Sequence, residues 1–279
     1  MIYKIVLGLF ISINLLASDV KTLRDDFFHN VVEKQLLKID SQKELQKAIK
    51  QRKNQSILSK RDIKRYEDII KNIGKKNLLN DEFFSIVNLK RQIYSILLYK
   101  KDKNRFYLIG SDLISSGNKN REEEVKYGED HYFDTPIGIY EVKQGWRSTG
   151  KFKDKDKTIQ SYGKKDRFIY YFGKMTQKRY NSFKKGQKIK SKNDYQIIDD
   201  TLNFAIHSYT NKKNKYKLGQ KASHGCIRMS DELNIFLDNN LVLHKNFFNK
   251  NKWRLKKSTK PTYMKDLNLK GSYLIIIDQ

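Results

Sequence analysis

One cysteine, two prolines and fourteen glycines are all that a chain of 279 residues holds of these types. A single thiol, Cys226, excludes an intrachain disulfide, the usual role of cysteine in an exported chain. Proline is absent before Pro136 and glycine is sparse, so no long flexible linker is expected. Acidic residues are also few: 31 Asp+Glu stand against 58 Lys+Arg, for a formal net charge of +27. That excess suits polyanions such as an acidic envelope polymer, or it reflects a lysine-rich composition with no single partner behind it. No CGSC-type element surrounds the cysteine, which argues against a papain-like protease.

The chain opens MIYKIVLGLFISINLLASDV, with Lys4 ahead of an apolar run from Ile5 to Leu16 and small residues at Ala17 and Ser18. This pattern predicts a secretory signal peptide over residues 1–18, its apolar core shorter than the ~20 residues of a membrane-spanning helix. No cysteine follows the run, so a lipid-modified N-terminus is not expected. The rest is expected in the periplasm or at the cell wall, where nucleic acid is not a partner. About 260 residues remain, enough for one large domain or two modest ones.

From residue 19 to 91 the apolar residues keep helical spacing: Phe28, Val32, Leu36 and Ile39, then Leu45, Ala48 and Ile49, then Ile63, Tyr66, Ile70 and Ile73. Ser41 with Glu44 and Ser59 with Asp62 have N-cap spacing, Gly74 is a stop, and Asn80 ahead of Asp81 and Glu82 predicts a further helix start. The apolar stripes have three places to go: each other, the following domain, or a second copy of the chain in a homodimer.

From residue 92 to 279 the pattern is of strands. Tyr94–Tyr99 and Arg105–Ile114 flank the turn 100–104 as a β-hairpin, and further strands are expected at 137–142, 168–172, 202–207 and 273–277. One helix is expected at about 231–239, with Leu233, Phe236 and Leu237 on one face. The fold class is thus a mainly β catalytic domain preceded by a small α-helical one.

Cys226 lies in SHGCIRMS, residues 223–230, just ahead of that helix. A buried inert thiol, an intermolecular disulfide and a reactive nucleophile all remain open. The neighbours Ser223, His224 and Arg228 are polar groups that an apolar core would have to satisfy, which favours a site. A thiol near a helix N-terminus is expected to gain thiolate character and to have amides nearby that could hold an oxyanion. Of five histidines, His29 and His244 read as surface residues and His131 lies upstream of Thr135 with nothing to fix it; His207 ends a strand 19 residues before the cysteine.

His207, a gap of fifteen residues and then Ser223-His224-Gly225-Cys226 resembles the motif of the YkuD-type L,D-transpeptidases. Residues 133–140, FDTPIGIY, resemble the Thr-Pro-x-Gly stretch of the same family. The resemblance covers residues 92–279 and implies a β-sandwich or barrel with a helix after the nucleophile, acting on peptidoglycan without a cofactor. It further implies that Cys226 attacks the third residue of a stem tetrapeptide and expels D-alanine to leave a thioester. His207 would act as base and then acid, with Ser208 orienting its ring, and His224 with the amides about Gly225 and Cys226 would hold the oxyanion. Arg228 would pair with a substrate carboxylate, and Ser223, Thr135, Pro136 and Gly138 would line the substrate site.

Transfer to an amine gives a 3-3 crosslink or a tethered protein; transfer to water gives a trimmed tripeptide, the L,D-carboxypeptidase outcome. Relatives of the latter kind are similar in carrying a helical segment ahead of the domain. Two readings from other classes are a zinc site on His207, His224 and Cys226 and a non-catalytic basic wall-binding protein. Tyr209, Lys215 and Lys217, and the basic runs 151–157 and 184–192, read as solvated loops.

Overall fold

The computed structural model describes residues 18–74, 80–119, 133–154, 157–160, 162–182, 195–209, 217–246 and 271–279. The expected signal peptide (all but Ser18), His131, Lys215 and the basic run 184–192 lie outside the described residues.

Helix α1 (Ser18–Phe27) continues through a π-helical stretch, Phe28–Glu33, into one last α-turn, Lys34–Leu36. Helices α2 (Gln42–Gln55) and α3 (Lys60–Gly74) follow. Their starts are the expected ones. Ser41 Oγ accepts the Glu44 amide, and Ser59 and Asp62 each accept the other's amide through their side chains, at 3.1 and 3.0 Å.

The helix expected to start at Asn80 is instead strand β1 (Glu82–Asn88), buried along its whole length. Two acidic residues before an apolar run read equally as a helix N-terminus. The deciding partner is far away: β12 (Tyr273–Ile277) pairs with β1 in parallel, Phe84 opposite Tyr273. The turn from helix to strand therefore comes at Glu82, ten residues before the change of pattern at 92.

The remaining strands are β2 (Ile93–Lys100), β3 (Arg105–Gly117), β4 (Gly138–Glu141), β5 (Gln144–Arg147), β6 (Lys151–Asp154), β7 (Lys157–Gln160), β8 (Phe168–Ser182), β9 (Tyr195–Ser208), β10 (Gln220–Ser223) and β11 (Ile227–Met229). Ten of the strands form one sheet in the order β4-β12-β1-β2-β3-β11-β9-β8-β5, with β10 also on β3. It curls into a half-barrel: Tyr140 of β4 meets Phe172 of β8 with ring centroids 5.1 Å apart. Strands β8 and β9 outrun the expected 168–172 and 202–207, because their outer halves are a polar ribbon without apolar alternation. Of the basic run at 151–157, residues 151–154 and 157 fall on a separate antiparallel strand pair, β6–β7, not a loop.

Helix α4 (Asp231–Asn239) follows β11 directly, capped by Ser230 Oγ on the Leu233 amide at 3.1 Å. Leu233, Phe236 and Leu237 join the main core together with Val20, Phe27, Val31, Leu36 and Leu45 of the N-terminal helices. Phe27 fills the space that Gly110 of β3 leaves open, since a Cβ there would stand 2.2 Å from the ring, and it meets Phe236 edge-on at 5.1 Å. These residues of the N-terminal helices thus pack within the chain, on the sheet and α4.

Candidate active site

The site is built where β11 meets β9. The two strands run parallel, Ile227 opposite Ile206 and Arg228 opposite His207. Side chains alternate along a strand, so Arg228 and His207 share a face, and Cys226, two residues before Arg228, shares it too. Contacts agree, for Cys226 packs with Ala205, Ile169 and Trp146 on that face. The candidate nucleophile and base are diagonal neighbours across two paired strands.

A loop of small polar residues presents the thiol. Ser223 Oγ donates to the Cys226 carbonyl and accepts the Gly225 amide at 3.1 Å. Thr135 Oγ1 donates to the Gly225 carbonyl at 2.6 Å and accepts the Gly117 amide at 2.8 Å. Both hydroxyls are buried and turned into the loop, so Ser223 and Thr135 support the nucleophile from beneath. Pro136 is buried beside Thr135, and Gly138 opens β4 opposite Ile276. Gly225 has φ +126°, and a Cβ there would lie 3.0 Å from the Phe204 ring; glycine alone takes that backbone without strain.

The expected helix-dipole effect is not delivered, because β11 and the Ser230 cap separate the thiol from the first turn of α4. Cys226 is 7% exposed, and burial raises its pKa against the opposing pull of the Ala205 amide and the Arg228 charge. Its Sγ lies 3.8 Å from the Asn203 carbonyl. Past the start of β11 the edge of β9 has no strand on that side among the described residues, and the sulfur occupies the gap.

Burial also lowers His207, to about 4, aided by the Arg228 charge. The resting pair is therefore a neutral thiol and a neutral imidazole. His207 Nδ1 lies 2.7 Å from the Ser208 carbonyl, an acceptor only, so Nδ1 carries the proton and Nε2 has the lone pair. Ser208 thus orients the ring through its main chain, while its hydroxyl accepts the Lys164 amide at 3.1 Å. Arg228 Nη2 donates to His224 Nδ1 at 2.9 Å, leaving the His224 proton on Nε2. The Gly225 amide is occupied by Ser223, which takes it out of the expected oxyanion groups.

Three neighbours escaped the sequence reading. The Tyr162 ring, 43% exposed, lies over His207 with centroids 5.7 Å apart. Gly163, at φ +69°, lets the loop close on His207, whose Cβ would be 3.3 Å from an added Cβ. Trp146 packs against the cluster of Cys226, Ala205 and Ile169. The one available signal was the Tyr-Gly pair itself, an aromatic before a turn residue, and nothing in it points to His207.

Of the other histidines, His29 is exposed as expected, but His244 is not a surface residue. It is fully buried, between the rings of Phe168 and Tyr170 at 4.6 and 5.4 Å and 3.3 Å from Asp238. Its position after α4 hid this, because the residues that enclose it come from β8. Tyr209 is half-buried, its amide bonded to the Met229 carbonyl at 3.0 Å, and Lys217 is partly exposed. The zinc set does not assemble: among the described residues no three His, Cys, Asp or Glu side chains converge to hold a metal.

A family model described as the L,D-transpeptidase catalytic domain, YkuD, matches residues 82–242. No curated protein matches the chain. Among solved structures, one described as "Structure of Bdellovibrio bacteriovorus Bd1075" is similar at 10% identity and a TM-score of 0.32. The match covers 73% of this chain and about half of that one, 50%.

Proposed function

The chain belongs to the L,D-transpeptidase (YkuD) catalytic-domain family, and from that premise we propose an exported cysteine acyltransferase working on peptidoglycan stem tetrapeptides. One observation carries the reading. Cys226 and His207 share one face of paired strands, with His207 Nδ1 committed to the Ser208 carbonyl so that Nε2 is the basic atom.

The Cys226 proton passes to His207 Nε2 as the sulfur attacks the carbonyl carbon of the third stem residue. The C–S bond forms and the carbonyl electron pair moves to oxygen, received by His224 Nε2–H and the Cys226 amide. Collapse of this adduct breaks the bond to the terminal D-alanine, whose nitrogen takes the proton back from His207. A thioester remains. Arg228 fixes the His224 tautomer and is the candidate partner of a substrate carboxylate. Burial keeps both reacting groups neutral at rest, so the ion pair is made only when substrate completes the site.

An amine from a neighbouring stem resolves the thioester as a crosslink, and water resolves it as a tripeptide; transpeptidation is the reading put forward. Export to the periplasm or wall is supported by the Lys4-led apolar run ahead of residue 18. Incubating the mature protein with tetrapeptide muropeptides tests all of this by product mass. A dimer joined through two third-position residues is expected. Tripeptide with free D-alanine means carboxypeptidase action, and unchanged substrate refutes the enzyme. Retention of the cellular role by Cys226→Ala would mean that wall binding alone is the function.

A further inference from the structure

Asp112 of β3 is fully buried, and its carboxylate is met from three directions. Arg52 of α2 forms an ion pair with Oδ1. Gln35, in the last turn of the N-terminal helix, donates from Nε2 to Oδ2 at 2.8 Å, and Ser230 Oγ donates to the same oxygen at 2.8 Å. Arg52 Nη2 also donates to Gln35 Oε1 at 2.8 Å, and Gln35 Nε2 lies 3.0 Å from Ser230 Oγ. All four side chains are buried. Two come from the helical segment and lie outside the family match, which starts at residue 82.

The cluster grips the far end of the strand that begins at the thiol. Strand β11 has three residues, with Cys226 before it and Ser230 after it. Ser230 also caps α4, so one hydroxyl ties the end of β11 to the helix start and to Asp112. On one flank β11 pairs with β3, Met229 opposite Ile114, two residues from Asp112; on the other Arg228 lies opposite His207. So short an extended segment has little slack. A shift at Ser230 must pass to Cys226 or break the pairing to His207.

The N-terminal helix is shaped for this contact. Its π-helical stretch ends two residues before Gln35, and one extra residue in a turn rotates the succeeding turn by about 100°. Gln35 Nε2 also donates to the carbonyl of Val31, inside that stretch, at 2.9 Å. Apolar side chains of similar volume commonly serve stability as well as a buried ion pair does, so a fully connected polar cluster here points to geometry as its use.

We propose that Gln35 and Arg52 are positioning residues for Cys226, acting through Asp112 and Ser230 to fix β11 against His207. The helical segment is then part of the catalytic apparatus and not an appendage. This rests on the reading of Cys226 as the nucleophile.

The test uses the full mature chain as Gln35→Leu, Arg52→Met and the double variant Arg52→Met/Asp112→Asn. The readouts are kcat and KM on tetrapeptide muropeptide, the second-order rate of Cys226 alkylation by iodoacetamide, and the fraction folded by near-UV circular dichroism. Gln35→Leu and Arg52→Met are expected to lower kcat and the alkylation rate by on the order of tenfold or more at unchanged KM, while folded. The double variant, which removes the orphaned charge but keeps an acceptor for Ser230, is expected to regain most of the alkylation rate. Wild-type kcat and alkylation in folded single variants would overturn the proposal, as would losses matching the unfolded fraction. If no form turns over substrate, the wild type included, the acyltransferase reading fails, and the alkylation rates still decide the positioning role.

Discussion

His207 sits at about 4 against 6.5 for the free side chain, because burial penalises its charged form. Between those values the unfolded chain holds a proton that the folded chain refuses. This contribution to stability is complete above pH 6.5 and is lost as pH falls toward 4. The urea midpoint of the wild type should therefore drop more steeply across that window than that of His207→Gln; parallel curves would contradict a buried neutral imidazole. The thiol shifts the other way. Cys226 should alkylate more slowly at neutral pH than a free cysteine, and more slowly still in Arg228→Met, because the Arg228 charge opposes the effect of burial.

Gly117, at the end of β3, carries a demand that no local pattern announces. A Cβ there would stand 2.1 Å from the Phe133 carbonyl oxygen and 2.6 Å from the Gly225 Cα. Both obstacles are backbone, so nothing swings aside. Gly117→Ala should push the nucleophile loop off Thr135 and remove most activity, by a tenfold or larger fall in kcat, about 1.4 kcal/mol in the barrier.

Among elements, the loop 162–167 is the one placed to adjust His207. Ser148 holds it, donating to the Tyr162 carbonyl at 2.5 Å and accepting the Gly150 amide at 3.0 Å, while Lys164 pairs with Asp231 at 2.6 Å. Ser148→Ala leaves the Tyr162 carbonyl without that donor, at a cost of about 1–3 kcal/mol. The expected result is a lower kcat with the melting temperature reduced by only a few degrees. An unchanged kcat would mean that the loop does not set the imidazole.

Helix α4 and the strand at 273–277 were legible to the residue, since a cap followed by 3.6-residue spacing, or an unbroken apolar run, is local information. The strand ending at His207 was equally plain, and its pairing with the strand after Cys226 brings the two expected residues to neighbouring positions. The features that stayed hidden depend on partners distant in sequence: β1 read as a helix start without β12, His244 as a surface residue without β8. The polar ribbon of β8 and β9 has no apolar face to betray it. Ser223 and Thr135 were expected to line a substrate site, and their turn into the loop was not legible, because a hydroxyl's direction is decided by the backbone it meets.

At the scale of the whole molecule the charge of +27 is the dominant long-range property. Binding of the mature protein to isolated wall sacculi should fall steeply as ionic strength rises, with screening lengths of about 10 Å at 0.1 M salt. Association indifferent to salt would assign the excess lysine to composition instead of recognition.

Strand β12 lies between β4 and β1, so the stretch of this sheet that leaves the ribosome after all the others is an inner member, not a rim. Until residues 273–277 emerge, β1 has one neighbour where it needs two, and β4 lacks the strand it pairs with. The half-barrel is therefore complete only once this last-made strand has been inserted between two that were made before it.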